Sequence, residues 1–373
     1  MSDKYNELLV RDVVCILGLP FDRVTLSSAV DKVKLAIEIR EVCFLSTPNL
    51  NFAIAAQSDA VFFQSVVDSD LSVADGMPLI WVAKLLGIPL TDRVAGSTLF
   101  EQLSKQEGRP DKINVFFWGG QAGVAELAHQ KLNTTPSAMV SCGFYDPGFV
   151  SVDEMSSSEL IDKINASYPD FLVVALGAKK GQAWIQKNRH QLTVPVISHL
   201  GAVINFVAGS VDRAPVIWQR CGLEWLWRIR QEPALWQRYF FDGLGFLRLL
   251  TFKVLPLALY DRWLKRSDVF KSVLNISQVQ SENAPTTIHL SGSVHQAVMG
   301  SVKRILSEVA STESDLVIDC SELSYIDGAF IATLLLFQRC LNERGYQLTL
   351  RHVPNRINRI LRLNNVLIRF TFS

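Results

Sequence analysis

Charge of one sign is nearly absent from this chain as an excess. The 373 residues carry 37 Lys and Arg against 36 Asp and Glu, a formal charge of +1 at pH 7. A protein that coats nucleic acid needs a visible basic surplus to neutralise phosphates, so no nucleic-acid partner is expected and any anion site must be local. Six cysteines (Cys15, Cys43, Cys142, Cys221, Cys320, Cys340) are scattered with no C-x-x-C pair and no His at ligand spacing. That excludes a disulfide framework and a zinc site from the expectation and suits a reducing cytosol. The opening "MSDKYNELLVRDV" is charged from its third residue and has no apolar core of a secretory signal, so the protein is expected to stay inside the cell. There is no internal repeat, no low-complexity tract, and no G-x-G-x-x-G dinucleotide fingerprint.

From about residue 12 to 210, short β-rich apolar runs alternate with longer amphipathic ones. "VVCILGLP", "VCFLSTPN", "INVFFWGG", "FLVVALGA" and "VPVISHLGA" read as strands, with helical patterns between them. This alternation predicts an α/β fold with a mostly parallel, Rossmann-like sheet, whose ligands bind beyond the carboxyl ends of the strands. Residues 211–272 change character to Trp, Arg and Leu. A polar stretch at 273–285 reads as a linker, and 286–373 as a small second α/β domain built from "TIHLSGSV", "SDLVIDCSEL" and "YQLTLRHV" as strands with two helical patterns between. The domain division expected is therefore 1–210, an Arg/Trp-rich appendage at 211–272, the linker, and the C-terminal domain.

Within 241–266, Arg248, Lys253 and Pro256 interrupt any run of about 20 apolar residues. The segment is expected to lie in a membrane interface with its cations snorkelling, the alternative being a buried core helix.

Candidate chemistry clusters at the predicted strand ends. Thr47 and Asn49 follow one strand; Asp75 and Gly76 follow another. A carboxylate beside Gly can project into an open crevice, although Asp-Gly alone is most often a turn. "FFWGGQAGVAELAHQKL" (116–132) reads strand, glycine turn, helix, so Gly119 and Gly120 are candidates for holding a phosphate on free N–H groups. "DSD" at 68–70 matches a short metal and sugar-nucleotide motif, but a helix end explains it better. Arg213, Arg220, Arg228, Arg230 and Arg238 crowd one region. They read either as a diphosphate clamp or as a helical surface of Arg–Glu pairs over Trp.

In order along the chain stand T-P-N (47–49), A-D-G (74–76), D-R-V-A-G (92–96), G-A-x-x-N-F-x-A-G (201–209), R-A-P (213–215), and G-L-E-W-L-W-R with E-P and R-Y (222–239). This set resembles the WecG/TagA/CpsF glycosyltransferases over residues 12–240. The resemblance implies transfer from a UDP-sugar donor to a polyprenyl-diphosphate-linked glycan acceptor, with inversion, in cell-surface polysaccharide synthesis. It implies Asp75 as general base, Thr47 and Asn49 lining the site, and Arg93 contacting substrate. Gly76, Gly119, Gly120, Gly177, Gln182, Arg213, Arg220, Arg228 and Arg230 would bind substrate, the Arg cluster stabilising the leaving group without a metal or other cofactor. It further implies peripheral association with the inner face of the plasma membrane. One departure stands out: where many relatives read G-x-P-K-Q-E-x-W, this chain reads "GAKKGQAW" (177–184), so Gly181 replaces Gln and Gln182 falls at the Glu position.

Residues 286–373 resemble a STAS domain. "LVIDCSELSYIDGAFIATLL" (316–335) follows that pattern to Asp327, after which Gly328 and Ala329 occupy the position of its phosphorylatable Ser. The resemblance implies docking of a protein partner. Two rival readings remain, a non-catalytic scaffold that presents the C-terminal module and a nicotinamide-dependent dehydrogenase.

Overall fold

The computed structural model describes residues 9–90, 92–105, 112–281, 284–310 and 314–373. It divides into two compact units that are not sequential. One comprises Val24–Ile80 and Thr91–Gly243, the other Met1–Arg23, Trp81–Leu90 and Leu244–Ser373.

The hairpin strands are β1 (Val13–Ile16) and β2 (Leu19–Asp22); the strands of the larger unit are β3 (Cys43–Ser46), β4 (Leu71–Ser72), β5 (Ile113–Gly119), β6 (Met139–Tyr145), β7 (Phe171–Ala175) and β8 (Val196–His199). In the larger unit the sheet order is β4-β3-β8-β7-β5-β6, and every pair in it is parallel. Alternate strand residues feed two separate cores, as the pleat requires. Leu45, Val115, Phe117, Phe171, Val173 and Val196 pack on helices Leu26–Ile39, Gly96–Ser104, Val124–Thr134 and Gly201–Ala208. Phe44, Phe116, Trp118, Leu172, Val174 and Ile197 pack with Ile161 and Ile164 of helix Ser158–Ala166 and with Trp184 and Ile185 of helix Ala178–Asn188. The result is a three-layer, Rossmann-like α/β fold. Because all strands point one way, β3, β5, β7 and β8 deliver Thr47, Gly119, Gly177 and Gly201 to one sheet edge, where the outward progressions β3 to β4 and β5 to β6 diverge.

The second unit has a five-stranded sheet, ordered β13-β12-β11-β10-β9, formed by β9 (Asn275–Ser281), β10 (Ala284–Val294), β11 (Leu316–Ile326), β12 (Leu348–Arg351) and β13 (Thr371–Phe372). All pairs are parallel except β9 with β10. The stretch 273–285, polar enough to read as a linker, thus contains an edge strand. Its place is secured by backbone pairing to β10, which needs no apolar side chains.

The run at 13–20, read as one strand, is a hairpin. Leu17 (φ 52°) and Gly18 (φ 89°) both take positive φ, the two-residue turn that matches strand twist. The hairpin packs in the C-terminal unit. Helix Gly328–Glu343 is apolar nearly all round, so one face cannot bury it; β1 covers part of what the sheet leaves, and a Cβ added at Gly328 would lie 3.1 Å from the Cys15 carbonyl oxygen. At the hairpin tip, a Cβ on Gly18 would come within 3.0 Å of the Asn364 carbonyl oxygen. Arg11 and Asp22 form a buried ion pair at 2.6 Å, and Lys303 Nζ donates to the Arg11 carbonyl at 2.5 Å.

The helical run Pro233–Arg266 is long and apolar enough, by length and composition, to cross a membrane, and is mostly unburied. Arg248, Lys253 and Pro256 interrupt its apolar run without ending the helix. Pro256 sits at the start of helix Leu255–Arg266, directly after a π-helical stretch at Leu250–Val254, so the wider turn absorbs the missing N–H. Trp236, Phe240, Leu244, Leu247, Phe252, Leu255, Leu259 and Trp263 along it are all exposed.

Candidate active site

The segment after β4 continues the ladder without counting as strand. Val73 N donates to the Ser46 carbonyl, Asp75 N to Pro48, and Val94 N to Ala74, each at 2.9 Å. These bonds pin Asp75 beside the end of β3. Its carboxylate accepts weakly from Gly96 N at 3.4 Å and lies 3.7 Å from Arg93 Nε. Arg93 reaches further, pairing with Glu224 and donating to the Gln219 carbonyl at 3.5 Å. Asp75, Arg93 and Glu224 therefore form one acid–base–acid row, with the Asp75 side chain 28% exposed.

Burial pushes the Asp75 carboxyl up to about 6; Arg93 opposes that rise and Glu224 adds to it. Such a group is ionised at neutral pH yet basic enough to take a proton from a reacting hydroxyl.

Gly96 is closely packed. A Cβ would stand 2.4 Å from Leu200 Cδ2 and 3.1 Å from Thr47 Cγ2, so a larger residue would have to displace those side chains beside Asp75. Thr47 is buried against it. Gly76 has φ 128°, outside the reach of ordinary side chains. Asn49 caps helix Leu50–Ser58, its Oδ1 accepting from Phe52 N at 3.2 Å, so that oxygen has a structural duty at the site's edge.

Gly119 and Gly120 both have positive φ, and a Cβ at Gly119 would meet the Ala175 carbonyl oxygen at 2.9 Å. Close approach to β7 therefore already explains that glycine. The following helix, Val124–Thr134, starts without a side-chain cap, as does helix Ala178–Asn188 after the exposed Gly177. Gln182 is buried, its Nε2 donating to Ser46 Oγ at 3.2 Å while its Oε1 has no partner.

The arginines divide. Arg213 pairs with Glu101, bonds Thr98 Oγ1 at 2.9 Å and lies over the Phe206 ring. Asp75, Arg93 and Glu224 are near enough to Arg213 to act on its charge. Arg228 also lies over the Phe206 ring, 5.5 Å from its centroid, and pairs with Glu232 at 2.8 Å. Arg230 is exposed on Trp227, and Arg238 faces Asp242 at 3.8 Å. The side chain of Arg220 lies outside the described residues. Arg–Glu pairing over aromatic rings is thus present, and Arg213 and Arg228 are also the cations gathered on Phe206. Asp68 and Asp70 of "DSD" are occupied structurally, Asp68 by Gln64 and Gln186 at a helix end and Asp70 by the Phe44 N–H.

Two residues passed over in the sequence stand out. Glu224 is inside the G-L-E-W-L-W-R motif, and its only signal was its place there. His199, in "SHLGA", ends β8 at the same sheet edge.

The chain matches the glycosyl transferase WecG/TagA/CpsF family over residues 14–258. It belongs to that family. A second match, to the Mlab, STAS domain, covers residues 277–366. The chain is similar to an N-acetylglucosaminyldiphosphoundecaprenol N-acetyl-β-D-mannosaminyltransferase of Bacillus spizizenii, 32% identical over 52% of this chain and 74% of the relative. It is similar to proteins of the same name from Bacillus subtilis, 28% identical over 60% of this chain and 85% of the relative, and from Staphylococcus aureus, 24% identical over 68% and 95%. The larger unit is accordingly a glycosyltransferase, and the segment after it carries a STAS domain.

Proposed function

We propose that this glycosyltransferase moves a sugar from a UDP-sugar to a polyprenyl-diphosphate-linked acceptor in a single inverting displacement, during synthesis of a cell-surface polysaccharide. The observation that carries the reading is Asp75, held at the strand-end crevice between a cation and an N–H with its carboxyl raised to about 6. The acceptor hydroxyl oxygen bonds to the anomeric carbon as the bond from that carbon to the diphosphate oxygen breaks. The hydroxyl proton passes to Asp75 and the electron pair leaves with UDP. Arg213 and Arg228, fixed on Phe206 and by their Glu partners, supply positive charge where the departing diphosphate gains negative charge. Preorganised charge does this without reorganisation during the reaction. The metal-free form of this step belongs to the proposal.

The relatives' names specify an undecaprenyl-diphosphate acceptor, which supports an acceptor delivered from a bilayer. The exposed apolar residues of Pro233–Arg266 fit peripheral binding to the inner face of that bilayer, with the exposed Arg248 among them as a snorkelling cation. The STAS domain would recruit a protein partner by a surface other than the start of helix Gly328–Glu343, which the hairpin covers.

The test is UDP release from a panel of UDP-sugars, UDP-N-acetylmannosamine included, in the presence of a short-chain polyprenyl-diphosphate N-acetylglucosamine. Asp75→Asn should abolish transfer and leave UDP binding intact. Transfer at the wild-type rate in that variant would remove Asp75 from the mechanism.

A further inference from the structure

Gly181 and His199 occupy one space between them. A Cβ built on Gly181 would fall 2.3 Å from His199 Cδ2, 3.1 Å from Cγ and 3.2 Å from Nε2. These are ring atoms of a side chain rooted at the end of a central strand, β8, so a side chain at position 181 would require the whole imidazole to turn away. The imidazole fills the slot that any side chain at position 181 would need. Gly201 also borders the ring near Nε2: a Cβ there would lie 3.5 Å from Nε2 and 3.7 Å from Cε1, an ordinary contact.

The ring so seated is not satisfied. Nε2 is shut off from solvent and has no hydrogen-bond partner, and among the described residues the side chain makes no hydrogen bond to protein, its one ring contact being Phe52 at 6.2 Å. Leaving a buried polar atom unpaired costs about 1–3 kcal/mol, whereas an apolar side chain of similar size would fill the slot without that penalty. Packing alone therefore does not account for a histidine. In an imidazole the Nδ1–Cε1 edge lies across the ring from Cδ2, so the edge opposite Gly181 carries Nδ1, on a residue that is only half-buried. Burial holds the ring neutral, with its pKa lowered to about 4. A neutral imidazole offers one donor and one acceptor, which suits an uncharged polar group and not a phosphate. Position along the fold agrees. Val174↔His199 and Leu45↔Ser198 pairings set His199 on the carboxyl edge between the ends of β3 and β7, beside the segment that leads from Ser46 and Thr47 to Asn49. Gln182, next to Gly181, places another unpaired buried acceptor on the same helix.

We propose that His199 is a substrate-binding residue of this transferase, hydrogen-bonding an uncharged hydroxyl or acetamido group of the donor's sugar from the slot that Gly181 leaves open. The inference rests on the glycosyltransferase reading above. It makes His199 and Gly181 interdependent, because the imidazole occupies the space that a side chain at position 181 would need.

Calorimetry and kinetics on the full chain test it. His199→Ala should raise KM for the UDP-sugar about tenfold or more, leave the affinity for UDP alone within about twofold, and keep or raise the melting temperature. Gly181→Gln alone should be strongly impaired by the clash, while Gly181→Gln with His199→Gly should recover much of the lost activity, a coupling that independent sites do not show. Unchanged KM in His199→Ala, or equal loss of UDP and UDP-sugar affinity, would overturn the proposal, as would failure of the double variant to improve on Gly181→Gln. Wild-type protein that binds neither UDP nor any UDP-sugar would instead sink the transferase reading on which it stands.

Discussion

The row Asp75–Arg93–Glu224 makes a prediction with two opposite signs. Arg93 Nε lies 3.7 Å from Asp75 and lowers its pKa; burial, the largest effect, together with Glu224, joined to Arg93, outweighs that lowering to give about 6. An opposite charge at this range is worth about one to three pKa units. Replacing Arg93 with Gln should therefore move the acid-side inflection of kcat/KM upward from about 6 by that amount. For a shift of about two units, the ionised fraction of Asp75 at pH 7 drops from about nine-tenths to about one-tenth, so roughly a tenfold loss at pH 7 should be regained at alkaline pH. Glu224→Gln should do the reverse, lowering the inflection below 6. It removes a like charge and releases Arg93 to serve Asp75 alone. The assay is initial-rate UDP release from pH 5 to 9.5 at subsaturating donor, where the profile reports groups of the free enzyme. Other losses in these variants alter the height of the profile and leave the inflection in place. If both inflections stay at the wild-type pH, or move the same way, Asp75 is not the titrating base within this field.

Asp75 and His199 also pull stability in opposite directions with pH. The folded pKa of His199 is lowered to about 4 from 6.5, so the unfolded chain takes up the proton first and stability is lost as pH falls below about 6.5; His199→Leu should flatten that loss in chemical denaturation. The folded pKa of Asp75 is raised from 3.8 to about 6, so its ionisation costs stability as pH rises through that window, and Asp75→Asn should make the protein more stable above pH 6. Arg213→Ala and Arg228→Ala should lower kcat more than they weaken UDP-sugar binding, because the diphosphate charge is greatest in the transition state; unchanged kcat in both would make these surface ion pairs only. Phe252→Glu with Leu259→Glu should cut sedimentation with anionic vesicles and leave transfer to a soluble short-chain acceptor intact, and undiminished vesicle binding would refute the interfacial role of the helix. Deleting 286–373 should cost soluble folded protein, since it removes helix Gly328–Glu343, against which the buried strand β1 packs, and each large apolar side chain so exposed is worth about 1.5–3 kcal/mol; a monomeric, cooperative truncated chain would show that the hairpin finds another cover.

The sequence by itself determined the α/β class, the parallel strand ends and the two family resemblances. Period-2 and period-3.6 patterning and the ordered motifs are local, and parallel strands must bring their carboxyl ends to one edge. Asp75 and Arg93 were legible for the same reason, each lying in a short motif close to a strand end. Tertiary structure alone decided the rest. Glu224 is remote from Asp75 in the chain and joins it only because the Arg/Trp-rich segment returns to Arg93. Pairing of an N-terminal hairpin with helix Gly328–Glu343 is likewise invisible in composition, since the same apolar residues suit the first sheet equally well. The exchange between Gly181 and His199 was half visible as a missing side chain. Only the close approach of a helix to the end of β8 shows which ring fills the gap, because steric exclusion acts between atoms brought together by folding, whatever their separation along the chain.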